Sequence, residues 1–260
     1  IFPYGNYSGD IVYNGETCQF KDIRDSERKG IVIIHQELAL SPYMSIAENV
    51  FLGNEVTSFK GVINWGETQS KAKELIERVG LGKENVDTLV SDLGVGKQQL
   101  VEIAKALAKK VELLILDEPT AALNDEDSKK LLEIMLGLKR EGITCIMISH
   151  KLNEISYVAD AITVIRDGKT IETLVKGQDE ISEDRIIRGL VGRELTNRYP
   201  ERDGPIGDIL FEVKNWNVYH PEEPNRQILK YISINVRAGD VVGLAGLLCA
   251  GRKQMNRNVW

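Results

Sequence analysis

Val111-Glu112-Leu113-Leu114-Ile115-Leu116-Asp117-Glu118-Pro119-Thr120 decides how this chain is read. An apolar run ends in two adjacent carboxylates, and the proline after them stops a strand. A strand of this kind holds an acidic pair rigidly at the edge of a sheet. The first carboxylate can serve Mg²⁺, directly or through water. The second can take a proton from a water attacking a phosphate. The usual companion of such a run is a glycine-rich phosphate loop, yet no intact G-x-x-x-x-G-K-S/T occurs in the sequence.

On either side of this run, strand and helix patterns alternate. Ile31, Val32, Ile33 and Ile34 read as a buried strand that ends in polar His35-Gln36. Residues 64–79 read as a helix, with Asn64 as cap, Glu67 completing a capping box and Gly80 as stop. Ala72, Leu75, Ile76 and Val79 give that helix its buried face. A second helix spans about 97–109, with Leu100, Ile103, Ala104 and Leu107 inward. After the acidic strand, a helix near 127–140 buries Leu131, Met135 and Leu138, and a strand over 143–149 ends at His150. Hairpins are expected around Asn14-Gly15 and Asp167-Gly168. Alternating strands and helices imply an α/β fold with a mostly parallel sheet.

The stretch 176–206 is polar, with Gly192, Pro200, Gly204, Pro205 and one short helix near 183–190. A domain boundary is expected close to 205. Beyond it, Ile209, Phe211 and Val213 alternate, as do Ile232, Ile234 and Val236. Gly239-Asp240 should turn into a strand over 241–245, and a glycine-rich loop begins at Gly246.

Composition bounds the function. The 260 residues are 42% hydrophobic and 28% charged, an ordinary globular mix, and the net charge of −6 argues against nucleic acid as the main partner. Cys18, Cys145 and Cys249 are odd in number and far apart, which fits neither a disulfide framework nor a metal site and suits a reducing cytosol. No apolar run approaches the ~18 residues of a membrane span. A start at Ile1 and an end at Trp260, inside what reads as a helix start, suggest a chain cut at both ends.

Three strands thus end in polar residues: Gln36, Asp117-Glu118 and His150. In an open parallel sheet, ligands bind outside the carboxyl ends of the strands, so these ends can converge on one ligand. Asp117 would serve Mg²⁺ and Glu118 would orient or deprotonate water. Gln36 would sense the metal or the water through its amide. His150 would donate to a γ-phosphate.

With these residues, the chain resembles an ATP-binding cassette ATPase. Within that superfamily it is similar to the two-cassette subunits of bacterial monosaccharide importers for xylose, galactose, ribose or multiple sugars. The matching stretches are His35-Gln36-Glu37-Leu38, Ser45-Ile46-Ala47-Glu48-Asn49-Val50-Phe51-Leu52-Gly53, Leu93-Gly94-Val95-Gly96-Lys97-Gln98-Gln99, Leu116-Asp117-Glu118-Pro119-Thr120-Ala121-Ala122-Leu123 and Ile148-Ser149-His150-Lys151-Leu152. The resemblance implies a P-loop cassette that lacks its first phosphate loop, carries a helical subdomain and covers 1–205 with a linker from about 176. The β-rich start of a second cassette follows over 206–260.

It also implies roles. Gln36 is the Q-loop glutamine and a Mg²⁺ ligand, Asp117 the Walker B aspartate on Mg²⁺, Glu118 the catalytic glutamate and His150 the switch histidine. Asn124 lies in the D-loop. Gly94, Gly96, Lys97 and Gln98 form a signature loop that binds the nucleotide of the opposite cassette through backbone N–H groups. Its usual form is Leu-Ser-Gly-Gly-Gln; here Gly94 replaces the serine, Val95 a glycine and Lys97 the glutamine. Gly246, Gly251, Arg252 and Lys253 form a degenerate second phosphate loop, in which Lys253 replaces the hydroxyl that holds Mg²⁺. Tyr219 could stack on adenine, with Trp216 as the rival.

The implied cofactors are ATP and Mg²⁺. The implied partners are membrane permease subunits, contacting 37–60, and indirectly a periplasmic or extracellular sugar-binding protein. Nucleic acid is not among them. The stretch 37–60, with Leu38, Leu40, Tyr43, Met44, Phe51 and Phe59, reads equally as core by composition alone. The implied place is the cytoplasmic face of the cell membrane, as a peripheral subunit. On this reading the chain alone is inactive. The alternatives are a soluble cassette ATPase working on ribosomes or DNA, or a non-catalytic regulatory cassette.

Overall fold

Asn14 and Gly15 both take positive φ, 51° and 79°, the backbone that a two-residue hairpin turn requires. They join β1 (Ile11–Tyr13) to β2 (Glu16–Cys18) as an antiparallel pair. The computed structural model describes residues 4–58, 61–192, 207–219 and 225–244. The chain divides into two units, Ile1–Glu194 and Leu195–Trp260. The boundary expected near 205 lies outside the described residues.

In the first unit, α1 (Ile23–Arg28) leads to β3 (Ile31–Ile34), α2 (Ile46–Phe51), α3 (Trp65–Arg78), α4 (Val95–Leu107), β4 (Leu113–Asp117), α5 (Asp125–Arg140), β5 (Thr144–Ile148) and α6 (Leu152–Val158). The three strands form a parallel sheet in the order β3-β4-β5. Val32, Ile34, Leu114 and Leu116 point to one face and join a single core with Ala72 and Ile76 of α3, Val101 and Ile103 of α4 and Leu131 of α5. The opposite face is less covered, with Ile146 and Ile148 of β5 47% and 50% exposed. Parallel sheets normally bury both faces, so this face is an apolar surface by its own composition.

Helix boundaries follow the caps. α4 begins at Val95, two residues before the periodicity predicts, because extended Gly94 is its N-cap. α5 begins at Asp125 because the Asn124 side chain accepts the Asp127 N–H at 2.8 Å. At α3, Asn64 caps as expected and Gly80 takes φ 81°, but the box is only half formed. The Glu67 carboxylate accepts from the Asn64 side-chain amide at 3.1 Å, while the Asn64 N–H donates to Val56 O.

A complete capping box occurs instead at α2, which the periodicity missed because six residues hold fewer than two turns. There Ser45 Oγ accepts the Glu48 N–H and Glu48 accepts the Ser45 N–H at 2.7 Å. The Ser45 backbone N–H, then its hydroxyl, hold the Glu48 carboxyl below the usual range. That contribution is present above the ordinary carboxylate pKa and is lost as pH falls through the lowered value.

A second small core lies under the hairpin of β6 (Ala161–Arg166) and β7 (Lys169–Val175), turned by Asp167 and Gly168 at φ 51° and 73°. α7 (Glu183–Val191) covers it, packing Ile186 with Ile162, Val164 and Leu174. Gly189 lets the helix close on the strand, since a Cβ there would stand 3.0 Å from Val164 Cγ1.

The second unit contains an antiparallel pair, β8 (Ile209–Tyr219) and β9 (Gln227–Arg237). Gly239 turns the chain at φ 81°, but residues 241–244 form no strand. They pair with no described strand, and Val241 is 98% exposed, so the apolar run finds neither a ladder nor a core.

Candidate active site

The parallel order β3-β4-β5 puts the three carboxyl ends along one edge of the sheet. Ile34 is level with Leu116 and Asp117 with Ile148, so the polar residues after each strand emerge side by side. Gln36 Nε2 donates to Glu118 Oε2 at 3.1 Å. His150 Nδ1 lies 3.2 Å from Glu118 Oε1. The sheet thus brings two residues that are far apart in sequence, Gln36 and His150, onto the two oxygens of the Glu118 carboxylate.

The backbone of Glu118 is strained. Its φ of 45° is unusual for a residue with a side chain and costs about 1–3 kcal/mol unless its surroundings enforce it. They do so here: Glu118 N–H donates to Ile148 O at 2.9 Å, and Ala121 N–H donates to Glu118 O at 3.1 Å. Buried Pro119 fixes the exit of the chain. The turn swings the Glu118 side chain off the strand axis towards the Gln36 and His150 loops. No residue pattern in the sequence announced this geometry.

The sequence profile of the family described as "ABC transporter" matches residues 3–121. The L-arabinose transport ATP-binding protein AraG of Geobacillus stearothermophilus is 61% identical over 260 residues, all of this chain and 50% of that protein. Residues 3–121 thus match the ABC transporter family. The xylose import ATP-binding protein XylG of Thermoanaerobacter pseudethanolicus is 47% identical, over all of this chain and 51% of that protein. The chain therefore spans about half the length of these curated relatives. An ATP-binding cassette of an ABC transporter solved in its ADP conformation overlays with a TM-score of 0.61 at 22% identity, covering 72% of this chain and 78% of that one. A dimeric cassette in a post-hydrolysis state with ADP and Pi gives a TM-score of 0.55 at 22% identity, over 65% of this chain and 73% of that one. Both are likenesses of fold.

The residues expected to form the signature loop sit at the start of α4. Gly96 is a glycine for a steric reason, because a Cβ there would stand 2.7 Å from Asp127 Oδ2. Lys97 pairs with Glu84 at 2.7 Å. Gln98 holds the loop in shape, its amide donating to Leu93 O at 2.9 Å and Val90 O at 3.1 Å. Asn124 caps α5 and its amide donates to Asp127 Oδ2. Asp117 ends β4 half-buried. In the second unit Tyr219 is exposed, whereas Trp216 packs with Val218 and Leu229. Gly246, Gly251, Arg252 and Lys253 lie outside the described residues.

Two buried polar residues escaped the sequence reading, Asn49 in α2 and Glu154 in α6, the second bonded to Thr120 just after Glu118. The available signal was a polar side chain in the apolar phase of a short helix.

Proposed function

We propose that the chain is part of the ATP-hydrolysing subunit of a monosaccharide importer, with a pentose as cargo. The convergence of Gln36 and His150 on Glu118 carries this reading. Glu118 is the base for a water attacking the γ-phosphate, and the strained turn keeps its carboxylate on the water side. Gln36 holds the carboxylate by one oxygen and reports on occupancy of the site. His150, on the other oxygen, donates to the γ-phosphate when ATP is present.

Asp117 and the Gln36 amide oxygen are a carboxylate–carbonyl donor pair suited to Mg²⁺, and these residues would hold it. When bound, the ion neutralises charge on the β- and γ-phosphates. The backbone N–H groups at Gly94 and Gly96 offer the ATP of an opposing cassette an anion site at a helix start. In this proposal the first cassette runs to about 205 and the second begins at 206.

Among the described residues no helix is long and apolar enough to cross a membrane, which suits a peripheral subunit on the cytoplasmic face. The permease contact falls on the stretch 37–60, where Tyr43 is 84% exposed. Beside it Ser45, Glu48, Trp65, Gln69, Asp87 and Leu89 line an open groove of about 280 Å³. An aromatic wall between two acids suits a helical segment that offers an apolar side chain and a cation. Trp65→Ala should leave the unstimulated ATPase unchanged and reduce the transport-coupled rate about tenfold or more. Equal coupling in the variant would move the permease contact elsewhere.

The test of the function is ATPase activity of the full-length protein with its membrane subunits, with and without a sugar-loaded binding protein. The relatives' names make arabinose and xylose the first sugars to try. Stimulation by one of them supports the proposal. A rate indifferent to every sugar but raised by ribosomes or DNA would overturn it.

A further inference from the structure

Behind the Glu118–His150 contact lies a second, buried set of bonds between the same two loops. Thr120, two residues after Glu118, is 1% exposed and donates its hydroxyl to Glu154 Oε2. Glu154 is itself 7% exposed, in the first turn of α6. Its other oxygen, Oε1, lies 3.2 Å from Lys151 Nζ. The same ammonium donates to Thr120 O at 2.9 Å. Lys151, the residue after His150, also donates its N–H to Ser149 Oγ at 3.0 Å. One buried carboxylate and one ammonium therefore close a ring through the backbone of the Glu118 loop and the backbone of the His150 loop.

His150 is 68% exposed and carried on a loop, so packing does not hold its ring. A buried ion pair adds little net stability over an apolar pair of the same size. Its directional bonds, however, fix the geometry of what they join. We infer that Lys151 and Glu154 are positioning residues for hydrolysis, locking the His150 loop to the Glu118 loop through Thr120. The inference rests on the functional reading above. It goes beyond that reading by assigning alignment of the catalytic pair to side chains that touch neither nucleotide nor water. Thr120 serves as the joint because both its hydroxyl and its carbonyl are used. Lys151 and Glu154, at positions i and i+3, form a rigid bracket across the start of α6.

The test is steady-state ATPase of the full-length protein assembled with its membrane subunits. Lys151→Met should lower kcat about 10²-fold, the scale of a small misplacement of catalytic groups, with KM for ATP within about twofold. Lys151→Arg, which keeps charge and donors, should restore most of the rate. In a double-mutant cycle, Lys151→Met should cost almost nothing in a His150→Ala background, because its effect passes through His150. Thr120→Val gives a second route to the same loss if Lys151→Met folds poorly. Wild-type kcat in both Lys151→Met and Thr120→Val, or an undiminished loss in the His150→Ala background, would overturn the inference and leave the functional reading standing. Failure of the wild-type assembly to hydrolyse ATP would overturn both.

Discussion

Glu118→Gln is expected to bind ATP about as well as the wild type while steady turnover falls about 10²–10⁴-fold, the range for loss of a positioned base. The reason lies in how the carboxylate is held. Gln36 donates to one oxygen and the His150 ring faces the other, so an isosteric amide keeps much of the framework and loses the proton-accepting oxygen. Binding should survive because it rests on other groups, the helix-start N–H donors and Asp117. The variant should therefore trap the ATP-bound, closed state, which a filter assay with labelled ATP would detect as slow release. Turnover at the wild-type rate would remove Glu118 from the role of base. Weakened binding in proportion to turnover would make it a nucleotide ligand instead. Glu118→Ala should differ from the amide, since it also releases the Gln36 amide and frees the strained turn to relax.

The legible parts of this site were those whose chemistry and strand position coincide. An apolar run that stops at Asp117-Glu118-Pro119 declares both a strand and its acidic end, and the runs ending at Gln36 and His150 do the same. A parallel sheet then brings the three ends together by topology alone. Side-chain direction was not legible. The left-handed turn at Glu118 depends on the carbonyl of Ile148, thirty residues away, and the pairing of Lys97 with Glu84 depends on how a loop folds back. α2 and α6 were missed because six or seven residues give too little periodicity, although Ser45 and Glu48 spell out a capping box. The strand expected over 241–245 shows the converse. Its apolar character is real, but an apolar run becomes a strand only beside a partner, and residues 241–244 have none among the described strands.

Asn49→Leu should destabilise the protein by about 1–3 kcal/mol, although the side chains have similar size. Asn49 is fully buried in α2, among Ile46, Ala47, Val50 and Phe51, and by composition a leucine would suit that face. The amide instead stitches the preceding loop to the helix. Its oxygen accepts the Ser41 N–H at 2.7 Å, and its nitrogen donates to Ser41 O at 3.0 Å, Met44 O at 3.2 Å and Ser45 O at 3.0 Å. Leucine supplies none of these bonds: the Ser41 N–H loses its acceptor, while Ser41 O, Met44 O and Ser45 O each keep a backbone donor, from Met44, Val90 and Asn49; a backbone group left without a partner costs about 1–3 kcal/mol. Asn49→Asp should be no better, because a carboxylate would keep the Ser41 contact but face the three carbonyl oxygens with like charge. The loss should appear as a lower urea midpoint, with amide exchange at Ser41 and Ser45 faster than the global change explains. An unchanged midpoint would mean that the loop is held by its backbone bonds to 86–91 alone. The same loop runs from the Gln36 strand end to the groove at Ser45 and Glu48, so a loosened Asn49 stitch should also cut sugar-stimulated turnover more than basal turnover. That split separates a loop that transmits the state of the ATP site from one that merely packs against it.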